Sequence, residues 1–519
     1  MDILTISNLA AARALDGVYV FEITPNGYVR EDGEQVVAVV GDFEMGPVDT
    51  VLSIGSAKEF ARKLGGYGSA PSGGEDSWRG YSGFRALSGK QWPGLRAVRA
   101  SRTGMAQATV RIPVVSSVAD PAADGVDLVV KAKWKGNYGN SIRVTSSAAS
   151  DSSLDDGFKI VANFRDRNET WDNLTPGMSS AEIAAINNAS ELIEVSFEDN
   201  DDTIKGAWPL TSALSGGSDG TPLLVSWTNA LTLLAARREV KLMFTAEPDG
   251  TTVTWSALNA HIKSLLTGNG AAPFKMAIVS GPEDQEEGAV ASAMADLRSD
   301  RIVYAWPWRR QNFPDASPLH QDGKLSVPAN AAVACALANI DPVYDPASIY
   351  GTRFINACTT GLEFEDLSRD DYVSANSHGI CALEFDPDTG YRVVNGVTTS
   401  LQAGLEPIHR RRLADFFLTS IARALKPYQN LPITKSWKDD IVGVITDFLE
   451  TQMRDISGIP ARLLGYELDI VNVNDSASEA QGVFNILLRC RIPASARSIV
   501  LLGEIGTNVR VAVLEQDAA

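Results

Sequence analysis

LSGGSDGTP (Leu214–Pro222), followed by LLVSWTNALTLLAARR (223–238), divides two halves of unlike pattern. A glycine-rich loop ahead of a helix is a common phosphate cradle, because free amides and the helix dipole both favour an anion. A Walker loop also needs GxxxxGK[ST], since its lysine reaches the β and γ phosphates. Here Gly216, Gly217, Ser218, Asp219 and Gly220 lead to Thr221 and Pro222, without a lysine. Asp219 puts negative charge where phosphates would sit. A dinucleotide fingerprint needs GxGxxG directly after a strand, whereas the spacing here is GGxxG. The stretch reads as a turn at a domain junction, with Asp219 or Thr221 capping the helix and Pro222 in its first turn.

Upstream, residues from about 120 to 213 are rich in Ser, Asp, Asn and Thr, with short strands such as DLVVKAKW and GFKIVANF. They read as an inserted β-rich module. Downstream, helix and strand patterns alternate. LLVSWTNALTLLAARR leads to VKLMFTA, TWSALNAHIKSLL to FKMAIVSGP, and EEGAVASAMADLR to RIVYAWPW. Such alternation predicts a parallel, doubly wound layer.

Nearer the N-terminus, Val36–Val40 is a near-continuous apolar run, the mark of a buried strand. SAKEFARKLGG predicts a short helix with Ser56 as N-cap, Glu59 as capping-box partner and Gly65 as stop. GLRAVRA and AQATVRIPV then alternate like strands. GVYVFEI (Gly17–Ile23) is strand-like but has no local partner.

In the C-terminal part, HRRRLADFFLTSIARALKPY places Leu413, Phe416, Phe417, Ile421, Ala424 and Leu425 on one helical stripe. SWKDDIVGVITDFLETQMRD repeats the pattern with Ile441, Val444, Ile445, Phe448 and Leu449. Two strands follow, RLLGYELDIVNV and VFNILLRCRIP, and then the strand-like SIVLLGEIGTNVRVAVLEQ. Both ends are thus extended and lack local partners. Unpaired strands are sticky edges, and assemblies use them by donating a strand to a neighbour's sheet.

Composition narrows the function. With 44% hydrophobic and 21% charged residues in 519, the chain is globular and multidomain. A formal net charge of −18 argues against wrapping nucleic acid, which needs a basic face. The longest apolar run, near Val327–Ile340, is too short to span a bilayer. The N-terminus lacks a basic region and a long apolar core, which predicts cytoplasmic synthesis. Cys335, Cys358, Cys381 and Cys490 form no CxxC pair, so metal knuckles and thioredoxin chemistry are not expected. They read as buried thiols, with inter-subunit stapling the sharper alternative. The four histidines, His261, His320, His378 and His409, show no metal spacing. DPDTG (Asp386–Gly390) reads as a hairpin turn rather than a calcium loop. No catalytic residue, cofactor or metal is expected.

Arg410, Arg411 and Arg412 form a basic cluster at a predicted helix start, where cations oppose the macrodipole. That small cost calls for a compensating partner. Lys435 and Lys438, at the start of the next helix, pose the same question.

Several of these segments together resemble contractile-tail sheath proteins of bacteriophages and related injection systems. GVYVFEI is similar to that family's N-terminal arm. The stretch from Val36 through Gly66 resembles its next block, a strand ending in Gly, then Gly-Pro, then a short helix. VKAKWKGNYGNSIRV (Val130–Val144) matches its aromatic–Gly–x–aromatic–Gly–Asn stretch, and LSGGSDGTP its GGxDG junction. LSRDDYVSANSHGICALEF and VVNGVTTS resemble a segment reaching a threonine turn. The two C-terminal helices match in order and length. Val397-Thr398-Thr399 departs from the usual Arg-Thr turn, and the C-terminal tail is not a close match.

The resemblance implies an α/β (mixed α+β) multidomain fold. Its layout would be an N-terminal linking arm (1–30), the first part of the body (31–115), an inserted β-rich outer domain (116–215), an α/β body (216–400), a tube-facing domain (401–497) and a C-terminal linking arm (498–519). It implies hexameric rings stacked around an inner tube, with baseplate and tail terminator proteins as partners. The particle would be a virion tail assembled in a bacterial cytoplasm, without direct nucleic-acid contact or membrane insertion. Val18, Tyr19, Val20 and Phe21, with Val509, Val511 and Val513, would form the linking strands. Arg410, Arg411, Arg412, Lys435 and Lys438 would be candidates to face the tube. Two other readings stand beside it: another self-assembling tail or baseplate protein, and an α/β nucleotide-binding enzyme.

Overall fold

An apolar run such as Val36–Val40 needs cover on both faces. In the computed structural model it becomes β1 (Val36–Gly41), buried throughout. The residues described are 36–65, 94–114, 126–154, 157–175, 178–199, 211–221, 223–246, 257–262, 274–281, 286–312, 324–358, 367–456 and 458–496. The strand-like arms at Val18–Phe21 and Val509–Val513 lie outside them. The chain divides into two compact units, one from Gly33–Leu413 with the residues from Ala494 onward, the other including Ala414–Pro493.

In the larger unit, β1 is followed by β2 (Val51–Ile54), α1 (Ala57–Leu64) and β3 (Leu95–Arg99). Helix α1 starts as expected, Ser56 accepting from the Glu59 amide, and stops at Gly65 with φ 107°. The reciprocal half of the expected box differs. Glu59 accepts from the Gly55 amide and pairs with Lys63, both on the exposed side of the turn.

The chain then enters the inserted module: β4 (Thr109–Val114), β5 (Val126–Ala132), β6 (Arg143–Ala148), β7 (Phe158–Phe164), β8 (Arg167–Leu174), α2 (Ser180–Ala189), β9 (Ile193–Asp199) and β10 (Thr211–Ala213). Strands β4-β5-β9 make one antiparallel sheet and β10-β6-β7-β8 another. Period-two alternation works as it should: Phe158, Ile160, Ala162 and Phe164 of β7 all face a core shared with Leu128, Val130 and Ile193. Helix α2 was not anticipated, yet its capping box, Ser179 with Glu182, is written in the sequence.

The chain returns through α3 (Leu224–Ala235) and β11 (Val240–Thr245), then a helical segment 257–262, β12 (Met276–Val279), α4 (Glu287–Ala293), β13 (Ile302–Trp306), the hairpin β14 (Arg309–Asn312) and β15 (Lys324–Val327), α5 (Asn330–Asn339), α6 (Ile349–Cys358), α7 (Arg369–Ser377), β16 (Ile380–Asp386) and β17 (Gly390–Val393). The main sheet has the order β17-β16-β13-β12-β11-β1-β3-β2. Its strands from β16 to β3 run parallel, with an antiparallel strand at each edge.

Both sheet faces are packed. Val37, Val39, Leu242, Phe244 and Val303 meet α5 on one face. Val36, Ala38, Val40, Met243 and Ile302 meet α3, α4 and segment 257–262 on the other. Each of these side chains larger than alanine contributes roughly 1.5–3 kcal/mol by leaving water. The run near Val327–Ile340 is α5, buried on every side from Asn330 to Ala338, its small residues allowing close approach to the sheet. DPDTG is the turn of the β16–β17 hairpin, with Asp386 accepting from the Asp388 and Thr389 amides.

The smaller unit takes over within α8 (Ile408–Ala424) and adds α9 (Lys435–Gln452), β18 (Gly465–Asp469), α10 (Ser476–Ala480) and β19 (Leu487–Arg491). Phe416 and Phe417 pack on Phe448 at 6.1 and 6.3 Å, where the two stripes meet.

Candidate functional site

The Leu214–Thr221 loop is held by the chain itself. It runs antiparallel to residues 103–109, exchanging amide–carbonyl bonds in both directions at Thr103/Thr221, Ala106/Ser218 and Thr109/Ser215, all 2.8–3.2 Å. The outgoing and returning legs of the inserted module are therefore laced together. Six such bonds, each worth about 1 kcal/mol net, make the crossing a firm element.

Most of the amides that a phosphate would need are already engaged. Gly217 N–H donates to Asn140 Oδ1 at 2.8 Å, and Gly220 N–H to Ser218 Oγ at 3.2 Å. The glycines serve close approach of backbone. A Cβ at Gly220, where φ is 68°, would sit 2.3 Å from the Thr103 carbonyl oxygen, and one at Gly217 would sit 2.6 Å from that of Gly136. Neither Asp219 nor Thr221 caps α3. The N-cap is Leu223, without a side-chain bond, and Asp219 turns inward to accept from the Asn137 amide at 2.8 Å.

Two of the sequence stretches thereby meet. Asn140, in the KGNYGN segment, donates to the Gly217 carbonyl at 3.0 Å while accepting from its amide. Beneath them lies Arg99, fully buried at the end of β3. Its guanidinium donates to the carbonyls of Phe43 (2.8 Å), Glu44 (3.1 Å), Gly46 (2.9 Å) and Lys135 (2.8 Å), and stands 3.9 Å from Asp219. Burial lowers the Arg99 pKa and raises that of Asp219, because neither charge keeps its water shell. Arg102 pairs with buried Asp42, and Arg165 with Glu44.

Arg99 ties the first block, the inserted module and the returning loop to one point. Sequence reasoning missed it. A partial signal was present: Arg99 falls in phase with Leu95 and Ala97, both buried on one covered face of the sheet.

The basic cluster at the start of α8 divides on inspection. Arg412 is interior, donating to the Leu337 and Ile340 carbonyls at 2.7 and 2.9 Å. It thus caps the C-terminal end of α5, which compensates for its unfavourable place at its own helix start. Burial pushes its pKa down to about 10. The expectation that Arg412 faces outward is corrected accordingly. Arg411 pairs with Asp300 at 3.1 Å, and Arg410 reaches the Gly404 carbonyl at 3.3 Å. In the smaller unit, Lys438 pairs with Glu479 and lies over the Phe484 ring, while Lys435 is exposed.

Cys335 and Cys381 are buried core thiols, so neither sulfur is available to a neighbouring chain in this fold. Cys490 is half-buried on β19, its thiol pushed up to about 11 by burial. The Cys358 side chain lies outside the described residues. His409 is buried beside Asp345, and His378 meets Glu287. No cluster of metal-ligating side chains occurs among the described residues, and no helix there is long and apolar enough to cross a membrane. The threonine turn is interior: Thr399 accepts from the Ser299 amide and donates to the Leu297 carbonyl.

The smaller unit carries a two-stranded sheet. Strands β18 and β19 pair only with each other among the described residues. None of their residues is fully buried, and Leu464 and Val471 beside them are 51% and 77% exposed. A lone hairpin is marginal in water and gains most from added strands.

No family model and no curated protein sequence matches the chain. Solved structures do. The sheath tail protein of Desulfitobacterium hafniense superposes with a TM-score of 0.56 at 14% identity, over 88% of this chain and 93% of that one. The sheath tail protein Lin1278 of Listeria innocua gives 0.53 at 14%, over 86% and 90%. The sheath of an extracellular contractile injection system, in its contracted state, gives 0.53 at 12%, over 95% and 98%. The mixed α/β multidomain fold is thus that of contractile sheath proteins.

Proposed function

We propose that this chain is the structural subunit of a contractile tail sheath, polymerising around an inner tube as stacked hexameric rings and contracting to drive the tube through a cell envelope. The observation carrying this reading is the agreement of fold with sheath proteins over nearly the whole of both chains. An enzyme sharing only a parallel sheet would not match in that way. The engaged amides of the 214–221 loop support a non-enzymatic role.

The open β18–β19 hairpin is the proposed acceptor. Strands from neighbouring subunits, around Val18–Phe21 and Val509–Val513, would add to its edges. Backbone hydrogen bonds made this way survive rigid-body rotation of the subunits, because they travel with the acceptor sheet. Contraction then needs no nucleotide, since contacts formed only in the shorter state make it downhill. Arg410 and Lys435 remain the proposed tube-facing cations. Baseplate and terminator proteins would close the polymer's ends, in a particle assembled in a bacterial cytoplasm.

Truncation tests this. Deleting residues 1–23, or ending the chain before Ser498, is expected to abolish polymers while leaving folded monomer, measured by sedimentation and circular dichroism. Normal polymers from both truncations refute the strand-donation mechanism.

A further inference from the structure

The chain returns to the larger unit at Ala494. There Ser495, half-buried between exposed Ala494 and Ala496, brings its hydroxyl to His409 in the first turn of α8. It lies 3.3 Å from Nδ1 and 3.4 Å from Nε2. His409 is 2% exposed, and its Nδ1 stands 3.4 Å from Asp345 Oδ2. A buried neutral imidazole has one nitrogen that donates and one that accepts, and both need partners. With Nδ1–H donated to Asp345, Nε2 is left to accept from the Ser495 hydroxyl.

These residue types are those of a hydrolytic triad, but the geometry is different. A triad serine lies on Nε2, away from the carboxylate, and faces substrate. Here the hydroxyl spans both nitrogens on one ring edge, and the imidazole is closed to any substrate. The arrangement is built to hold.

Its two sides differ in firmness. Asp345 Oδ1 accepts from the Ala347 amide at 2.9 Å, and the Asp345 carbonyl accepts from the Ser348 amide at 2.9 Å. Gly396 lies so close that a Cβ there would sit 2.2 Å from Asp345 Oδ1. The start of α8 is fastened to the same segment, Ile408 N–H donating to the Gly396 carbonyl at 3.0 Å and Thr398 N–H to that of Glu406 at 2.7 Å. On the other side, the Ser495 hydroxyl makes the only hydrogen bond between residues 492–496 and the other described residues.

We propose that Asp345, His409 and Ser495 form a releasable clasp: a rigid receiver on the larger unit that grips the returning chain by one hydroxyl and so fixes where residues 497–519 depart. Opening it frees residues 494–496. At 3.3–3.6 Å per residue, that lengthens the reach of the following segment by about 10 Å. In the sheath reading, the clasp thereby sets the slack of the donated C-terminal strand. The clasp itself stands on the geometry and does not depend on that reading.

Trypsin cleavage of dispersed full-length protein is the test. A protease needs several extended residues on each side of its cut, so cutting after Arg497 requires the clasp to open. The rate follows the open population where opening and closing are fast. Ser495→Ala removes one hydrogen bond and should raise that rate about fivefold, whereas Ser495→Thr keeps the hydroxyl and should stay within about twofold of wild type. Cutting after Arg491, in β19, should be unchanged in both, which separates release of the clasp from general loosening. Equal rates after Arg497 in wild type and Ser495→Ala, or a parallel rise after Arg491, overturns the proposal. Because dispersed protein is used, the outcome is the same whether or not the chain polymerises, and the absence of polymers would count against the sheath reading alone.

Discussion

Replacing Arg99 by methionine keeps the length of the side chain and removes its charge and five donors. Four main-chain carbonyls, of Phe43, Glu44, Gly46 and Lys135, then lose a donor at 2.8–3.1 Å, and Asp219 loses its nearest cation. Breaking a buried, hydrogen-bonded charge costs about 3–5 kcal/mol, mainly by stranding its partners. Lysine keeps the charge but cannot fork, so Arg99→Lys should recover only part of that loss. Urea unfolding of assembly-incompetent full-length protein measures the change. Native-state hydrogen exchange locates it: the amides of Thr103, Ala106, Ser218 and Thr221, which lace the two legs together, should lose protection before the strands of the main sheet. A loss under 1 kcal/mol with unchanged protection would show that the crossing does not depend on Arg99.

At Asp219, Asn should cost less than Ala, because its carbonyl still accepts from the Asn137 amide, although buried Arg99 loses a neighbouring anion. Ala should cost roughly 1–3 kcal/mol by leaving that amide unpaired. Equal effects in thermal melts would contradict this account. His261, buried near Lys275, has its pKa lowered to about 4, chiefly by burial. The unfolded state therefore binds more protons between about pH 6.5 and 4, and stability falls as pH drops through that window, by at most about 3 kcal/mol. His261→Gln should flatten this part of the stability profile; an unchanged profile means that the histidine is not the group responsible.

The legible parts were those where local pattern and tertiary demand agree. The Val36–Val40 run, the β7 alternation and the two C-terminal stripes each state which face must be covered, and the structure covers it, with Ala424, Leu425 and Val444 half-buried at the margins of the stripes. What escaped depends on distant residues. Arg412 reads locally as a solvated cation, and only the arrival of α5 turns it into a cap. Asp219 reads as a helix cap until Asn137, 82 positions away, presents a better donor. Glu59 shows the same limit at short range, choosing the Gly55 amide over that of Ser56. The 214–221 loop suggested an anion because its glycines leave amides free. The structure shows the amides of Gly217 and Gly220 turned to the chain's own side chains.

Negative-stain microscopy of the purified full-length protein tests the central claim most directly. The sheath account predicts long, striated, hollow cylinders built of stacked rings. Dispersed globules that persist at high protein concentration would contradict it.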